Sequence, residues 1–312
     1  MLMTATRGKR FKRVLLRYWP LYLMALPGMI YLFINNYIPM AGLAVAFKQY
    51  NAQKGIWGSD FVGLKNFEFL FKTQDAWVIT RNTLCYNAVF IILGTVLAVA
   101  VAILLNEVTS ARARKLYQTV TLIPFMISMV VVSYLVYALL ATDTGFINNS
   151  ILKPLGIEPV SWYSTPDYWP FILVIVNLWK NFGYNSIIYY ATLVGINKEY
   201  YEAAVIDGAG RWKQILYVTL PGLKSTIITL TLLNIGRIFY SDFGLFYQVP
   251  MNQGPLFDVT NTIDTYVYRG LMQSGNIGMS SAAGFYQSLV GFALVLLANI
   301  IVKKVSPENA LY

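Results

Sequence analysis

Long apolar stretches with almost no charged residue recur along the chain and limit what it can fold into. Six lie at about 19–40, 82–106, 116–141, 168–194, 222–248 and 280–302 of the 312 residues. A transmembrane helix needs about 20 consecutive, mostly apolar residues, so each stretch is long enough to cross a membrane. Charged residues make up only 12% of the chain, against roughly 25% in an average soluble domain. We therefore predict an all-α integral membrane protein with about six transmembrane helices.

The distribution of basic residues predicts the orientation of these spans. Apart from Lys180 and Arg237, 15 lysines and arginines lie on the side of the N-terminus and seven on the other side. Since cytoplasmic segments of membrane proteins have an excess of basic residues, both termini are predicted to be cytoplasmic. We assign residues 1–18 to a basic cytoplasmic tail that also contacts anionic lipids, and residues 19–312 to one transmembrane domain whose first span is not cleaved. The net charge of +10 is thus interpreted as topology and not as nucleic-acid binding.

The residue inventory argues against an enzyme. The chain has no histidine and a single cysteine, Cys85, so the commonest general base and metal ligand is missing and no disulfide is possible within one chain. The sequence contains no Gly-x4-Gly-Lys-Ser/Thr phosphate-binding loop. We expect a chain that binds no metal or cofactor and hydrolyses no ATP.

The polar segment between spans four and five, residues 195–221, is unusually ordered for a loop. Residues 199–206 are good helix formers, and Gly208 follows them where a helix can end in a left-handed conformation. Residues 209–220 form a second predicted helix, and Pro221 is placed to open the next span. Two short helices joined by a sharp turn predict a rigid projection.

This projection has two interpretations from its residues alone. Ala203 and Ala204 leave one side thin enough to dock into a cleft of another protein, and Glu202 offers a carboxylate to that partner, while Asp207 and Arg211 have the spacing of a helical ion pair. The alternative is an ordinary amphipathic hairpin at the membrane surface. The residues do not decide between them.

The spacing within this loop resembles the EAA motif of permease subunits in bacterial ATP-binding-cassette importers. That motif reads Glu-Ala-Ala-x3-Gly-x9-Ile-x-Leu-Pro, and this chain matches it from Glu202 to Pro221 except for Val218 in place of Ile. The resemblance implies a type I importer permease (MetI-like) fold and a coupling helix that docks on a cytoplasmic ATPase. It assigns the coupling role to Glu202, Ala203, Ala204, Asp207, Gly208, Arg211 and Pro221.

Other segments are similar to the carbohydrate branch of that family, the LplB/YtcP-type permeases for oligosaccharides or polysaccharides. They are residues 19–27, 61–67 and 262–269. The resemblance implies import across the bacterial cytoplasmic membrane by alternating access. It also implies a second permease in a heterodimer, two ATP-binding subunits that use ATP and Mg²⁺, and an external solute-binding lipoprotein.

Polar side chains inside two spans predict a substrate path. Because a charge at the bilayer centre costs about 2.5–3.5 kcal/mol, those in the spans should face protein or water, and amides beside aromatic rings are suited to sugars. A basic side chain in the path would favour acidic sugars. The alternative is that Arg237 pairs with Asp242 or with a carboxylate of a partner chain, and that the asparagines hold helices together. The candidate residues are Asn177, Lys180, Asn181, Tyr184, Asn234, Arg237, Tyr240 and Asp242.

Two further functions remain open at this point. A permease of the same fold could transport a peptide, an amino acid or an anion. A secondary transporter driven by an ion gradient often has helices broken by proline or glycine near the midplane, and Pro27, Pro39 and Pro124 lie in predicted spans.

Overall fold

The apolar stretches form helices, as a bilayer requires of any segment that must satisfy its own backbone hydrogen bonds. The computed structural model describes residues 4–305. Five segments of this range are long and apolar enough to span a membrane, and a bent helix pair makes a sixth. The predicted class, an all-α membrane protein of about six spans, is confirmed. The helices are α1 (Thr4–Leu32), α2 (Ile38–Met40), α3 (Gly55–Gly58), α4 (Phe69–Lys72), α5 (Asp75–Glu107), α6 (Ala111–Met126), α7 (Met129–Leu140), α8 (Trp169–Val194), α9 (Lys198–Ile206), α10 (Arg211–Gln214), α11 (Leu220–Ile235), α12 (Phe257–Thr260), α13 (Ile263–Met272) and α14 (Ile277–Val305).

The first span stands apart from the other helices. Helix α1 begins at Thr4, inside the segment assigned to a basic tail, and helical structure continues with local irregularities to Phe47. Every residue from 17 to 41 is exposed, and the first buried residues after this stretch are Val45 and Ala46. This span therefore depends on lipid or on another protein chain for packing.

The remaining spans form a bundle in which α5 packs along α8. At one end, the hydroxyl oxygens of Thr192 and Thr226 lie 3.2 Å apart and join α8 to α11. A cluster of small and aromatic side chains, including Ala98, Ala102 and Tyr189, fills the space between α5, α8 and α11 there. We call this the loop end, because residues 195–221 project from it. A larger aromatic cluster around Trp169 and Phe246 packs the opposite end.

The third span is broken, where a single helix over 116–141 was predicted. Helices α6 and α7 meet at 92°. Pro124 lies in the last turn of α6, the backbone of Ile127 and Ser128 is extended, and the Ser128 hydroxyl accepts the N–H of Val131 to cap α7. Serine is a favoured N-cap, so the second helix starts afresh instead of continuing the first.

The fifth span also differs from its prediction at both ends. No break occurs at Pro221, because α10 continues through a π-helical segment, Ile215–Thr219, into α11. The wider π turn accommodates a proline ring that would clash with the carbonyl four residues earlier in a regular helix. The helix stops at Ile235, next to Gly236, and not at 248.

Segments at the opposite end are short and irregular. Strand β1 (Lys48–Gln49) pairs antiparallel with β2 (Asp60–Phe61), with Lys48 opposite Phe61. Between α7 and α8, the buried Asn148 donates to the carbonyls of Thr142 and Val160 and so holds the connecting loop together.

Candidate functional site

A polar cavity lies between α5, α8 and the segment after α11. Its volume is about 440 Å³, and it adjoins a second cavity of about 600 Å³ that extends toward the loop end. Asn87, which lines the first cavity, is 20 residues from the loop end of α5 at Glu107, or about 30 Å along a helix. The cavity therefore lies within the membrane-spanning length of the bundle. Its lining residues are Asn87, Phe90, Ile91, Phe125, Asn177, Asn181, Tyr184, Asn185, Asn234, Arg237, Tyr240, Ser241 and Asp242.

The structure brings together all but one of the residues predicted for the substrate path. Of that set, only Lys180 does not line the cavity. Sequence reasoning missed Asn87 and the aromatic side chains Phe90 and Phe125. Asn87 could have been predicted, because it is an amide within an apolar span. Phe90 and Phe125 could not, because aromatic residues are common in any membrane span.

The wall after α11 is irregular backbone at membrane depth. The amide of Asn87 donates to the carbonyls of Ile238 (2.9 Å) and Tyr240 (3.0 Å), and Gln287 donates to the carbonyl of Phe239 (2.7 Å). The Asp264 carboxylate accepts both the backbone N–H and the hydroxyl of Ser241 at 2.7 Å. Side chains of α5, α13 and α14 thus replace the missing helical bonds, which permits non-helical backbone beside a cavity inside a membrane.

Arg237 lies in this wall with its charge unpaired. It is exposed, and among residues 4–305 its side chain has no hydrogen-bond or ion-pair partner. The ion pair with Asp242 that the sequence allowed is not formed, and the Asp242 carboxylate accepts the N–H of Leu245 at 3.1 Å. The cavity therefore presents a guanidinium group to whatever occupies it.

The asparagines of α8 do not hold helices together as the alternative interpretation required. The Asn181 amide donates to the carbonyl of Asn177 in its own helix at 3.0 Å. Within the described chain, neither side chain has a hydrogen bond to another helix. Their remaining donors and acceptors are available inside the cavity.

Lys180 supports the cavity from behind. Its ammonium group donates to the carbonyls of Pro124 (3.3 Å), Phe125 (3.2 Å) and Ile127 (2.5 Å) at the break between α6 and α7. A lysine near a helix C-terminus can satisfy the last carbonyls in this way. The ring of Phe125 is thereby held against Tyr184, with centroids 4.4 Å apart and planes 11° apart, and both rings face the cavity.

The 195–221 loop forms the predicted projection, though its second helix is continuous with α11. Asn197 caps α9 by accepting the N–H of Glu199 at 3.1 Å. Gly208 ends that helix at φ +74°, and the N–H of Ala209 reaches the carbonyl of Ala204 at 2.8 Å. These are features of a glycine-terminated helix, so the predicted role of Gly208 in the turn is confirmed.

The surface of this loop is apolar and open. Ile206 is 85% exposed and Trp212 is 79% exposed, and Glu202 is exposed without a partner in the described chain. A groove of about 720 Å³ runs between α9 and the start of α11, lined by Ala203, Ala204, Asp207 and Pro221 among others. Large exposed apolar side chains around a groove are typical of a protein or membrane contact.

Arg211 has a different partner from the one its spacing suggested. Its guanidinium lies 2.5 Å from the carboxylate of Glu107, the last residue of α5, and not against Asp207. Beside it, Arg114 of α6 donates to the hydroxyl of Tyr190 (3.0 Å) and to the carbonyl of Val108. The loop is thus bonded directly to the end of α5, one of the helices that line the cavity.

A multi-span protein with an amide-lined cavity at membrane depth and an exposed helical loop at one end is a membrane transport protein. Residues 91–307 match the family of binding-protein-dependent transport system inner membrane components, and the chain belongs to this family, the permease subunits of ATP-binding-cassette importers. It is 34% identical over 307 residues to protein LplB of Bacillus subtilis, covering 98% of this chain and 96% of that protein. It is 35% identical over 303 residues to YteP of the same organism, a polygalacturonan/rhamnogalacturonan transport system permease, covering 97% and 94%.

Solved structures of ABC transporters are also similar to this chain. A chain of a bacterial ABC transporter involved in the import of the acidic polysaccharide alginate superposes with a TM-score of 0.86 at 32% identity, covering 95% of this chain and 99% of that chain. A second structure of a bacterial alginate transporter, in complex with a pentasaccharide-bound periplasmic protein, gives a TM-score of 0.85.

Proposed function

We propose that the chain is the permease of an importer for an oligosaccharide or polysaccharide, which it passes across the cytoplasmic membrane by alternating access. The observation that supports this most directly is the polar cavity. Amides from Asn177, Asn181 and Asn234 match sugar hydroxyls, and the rings of Tyr184 and Tyr240 match the apolar faces of sugar rings. The relatives that transport carbohydrate polymers support the same substrate class.

We further propose that the substrate is acidic. Arg237 is an unpaired cation in the cavity, and a substrate carboxylate would offset the cost of about 2.5–3.5 kcal/mol for a charge at this depth. Polygalacturonan and alginate, the substrates in the names of two relatives, fit this chemistry. A peptide, an amino acid or a simple anion is the second candidate class, and the unpaired cation alone would also accept these.

The energy is proposed to come from two partner ATPases that bind ATP and Mg²⁺. Residues Glu202, Ala203 and Ala204 would dock on them, since α9 is exposed and the groove between α9 and α11 is open to a partner. Under this proposal the loop end and both termini are cytoplasmic. Family membership supports this energy source over the ion gradient.

The remaining partners are a second permease and an external solute-binding lipoprotein. The exposure of every residue from 17 to 41 in the first span supports packing against a second permease. The family description and the binding-protein complex of a similar structure support the lipoprotein.

Transport in proteoliposomes tests the function. The chain, reconstituted with its partner permease, ATPases and binding protein, should accumulate an oligogalacturonate only when ATP is supplied. Uptake that persists without ATP, or that requires an ion gradient, would contradict the proposal.

Substitution of Arg237 tests the acidic substrate. Arg237→Gln should reduce uptake of a uronate oligosaccharide at least ten-fold more than uptake of a neutral one. Lys65→Gln, which removes an exposed cation that does not line the cavity, should change neither. An equal loss for both substrates would contradict a carboxylate at Arg237 while leaving the transport function intact.

Charge reversal tests the ATPase contact. Glu202→Lys should release the ATPases from the membrane without loss of the inserted permease. Glu158→Lys, an exposed carboxylate at the opposite end, is the matched control and should retain them. If Glu202→Lys retained the ATPases and transported normally, Glu202 would have no role in docking them.

A further inference from the structure

A second groove lies on the outside of the bundle, between α5 and α8 near the opposite end. Its volume is about 500 Å³. On α5 its lining includes Arg81, Cys85, Val89 and Leu93, which lie at intervals of four residues and form one stripe along the helix. Asn82 and Tyr86 line one edge of this stripe. Asn87, Phe90, Ile91 and Gly94 of the same helix face the cavities instead. The groove is therefore separate from the transport path.

The lining of the groove is apolar except at its outer end. Phe171, Val174 and Ile175 of α8 face the α5 stripe, and Phe171 and Ile175 are 72% and 65% exposed. From Arg81 to Leu93 the stripe spans 12 residues, or about 18 Å of helix. That length is slightly more than one leaflet, since the hydrocarbon core is about 30 Å thick.

Arg81 closes the outer end of the groove with a fixed positive charge. Its guanidinium donates to the carbonyl of Asp258 (3.0 Å) and to the Asn82 side chain (3.1 Å). The two N–H groups of Nη1 have no partner in the described chain, and the exposed carboxylate of Asp258 lies beyond ion-pair distance. The arginine is thus held in position by the bonds of Nε and Nη2, and the two N–H groups of Nη1 remain available to a ligand.

The depth of Arg81 matches a lipid headgroup. It precedes Glu107 by 26 residues in the same helix, which is about 39 Å. The bilayer including its headgroups is about 40–45 Å thick, so with Glu107 at one surface Arg81 lies at the headgroup level of the other. A cation at headgroup level above an apolar groove one leaflet long is complementary to a phosphate ester with an acyl chain.

We propose that this groove binds one anionic glycerophospholipid, with its phosphate on Arg81 and an acyl chain along α5 and α8. A helix from a partner chain is the other conceivable occupant. The unpartnered donors of Arg81 at headgroup depth favour the lipid, because its phosphate supplies the negative charge that they lack. The proposal depends on membrane insertion of the bundle and not on the transported substrate.

Photo-crosslinking in the assembled transporter tests the proposal. A phosphatidylglycerol with a diazirine in its acyl chain, added to membrane vesicles that contain the full complex, should label residues 85–93 and 171–175. Absence of label there, as expected if a partner helix covers the groove, would overturn it.

Substitutions give a second, quantitative test by native mass spectrometry of the complex with phosphatidylglycerol. Arg81→Gln should weaken retention about five-fold, the effect of one cation near an anionic lipid surface, and Val89→Trp should block the groove and abolish specific retention. Lys65→Gln and Leu84→Trp, exposed positions that do not line the groove, should retain the lipid as wild type does. Equal retention by all four variants would refute the site.

Discussion

At the residue scale, a few side chains satisfy backbone groups that the broken helices leave open. Lys180 binds three carbonyls at the α6–α7 break, and Asn87 binds two in the segment after α11. Backbone carbonyls without partners are costly inside a membrane. These side chains therefore determine the shape of the cavity although Lys180 does not reach it.

Replacement of Lys180 should loosen the α6–α7 break. Hydrogen bonds to a charged group contribute about 1.5–3 kcal/mol, so Lys180→Met should lower the midpoint of thermal unfolding in detergent and reduce transport. Lys224→Met removes an exposed lysine of α11 and should leave both unchanged. A normal midpoint for Lys180→Met would show that the three carbonyls find other partners.

Glycine is required where α6 crosses α8. A Cβ atom at Gly183 would lie 1.8 Å from the carbonyl oxygen of Thr121, whereas one at Gly284 of α14 would meet nothing within 4 Å. Gly183→Ala should therefore force the helices apart and destabilise the fold by about 1–3 kcal/mol or more. Gly284→Ala should be neutral or stabilising, because alanine is the better helix former. Equal thermal stability of the two variants would contradict this packing.

At the element scale, the 195–221 loop is bonded to the transmembrane helices at specific points. Arg211, at the start of α10, forms an ion pair with Glu107 at the end of α5. Within the loop, the hydroxyl of Tyr201 of α9 lies 3.0 Å from that of Thr219, in the π-helical segment that leads into α11. Because α10 continues into α11 without a break, a force on the loop is applied directly to the helix that ends at the cavity. Movement of the loop and opening of the cavity can therefore be linked mechanically.

Charge reversal of the ion pair should affect coupling more than stability. Both side chains are partly exposed, at 79% and 42%, and such pairs contribute only about 0.2–1 kcal/mol. Glu107→Arg or Arg211→Glu alone should raise the amount of ATP hydrolysed per substrate imported, and the double exchange should restore it. If the double variant behaves like the single ones, the contact does not act as a link.

At the scale of the whole molecule, the first span does not pack against the rest of the chain as the other spans do. Residues 17–41 of the first span are exposed on all sides, while the bundle from α5 to α14 has buried clusters at both ends. A helix without neighbours contributes nothing to the internal packing of the fold. The stability of the first span must therefore come from outside the chain.

Co-expression with the partner permease should stabilise the first span. In the isolated chain, hydrogen exchange of residues 17–41 in detergent should be fast relative to α5, and it should slow when the partner is present. Residues 85–105 of α5, which already pack on α8, are the internal control. Equal exchange with and without the partner would show that the first span packs only on lipid.

Much of the fold could be predicted from sequence, because membrane insertion is decided locally. Apolar length alone identified the six spans, and the Glu202–Pro221 spacing identified the family. Asn177 and Asn181 were predictable as neighbours on one face of the fourth span, since helical periodicity is also local. All of these follow from residues close together in the chain.

Only the tertiary structure decided how the spans end and which charges pair. The break after Ile235 depends on Asn87 and Gln287, and the break after Met126 depends on Lys180, all of them far away in sequence. Arg211 pairs with Glu107, 104 residues away, and not with Asp207 at helical spacing. Helix propensity and hydropathy describe a segment in isolation, whereas carbonyls and charges inside a bilayer take whichever partner the packing brings near.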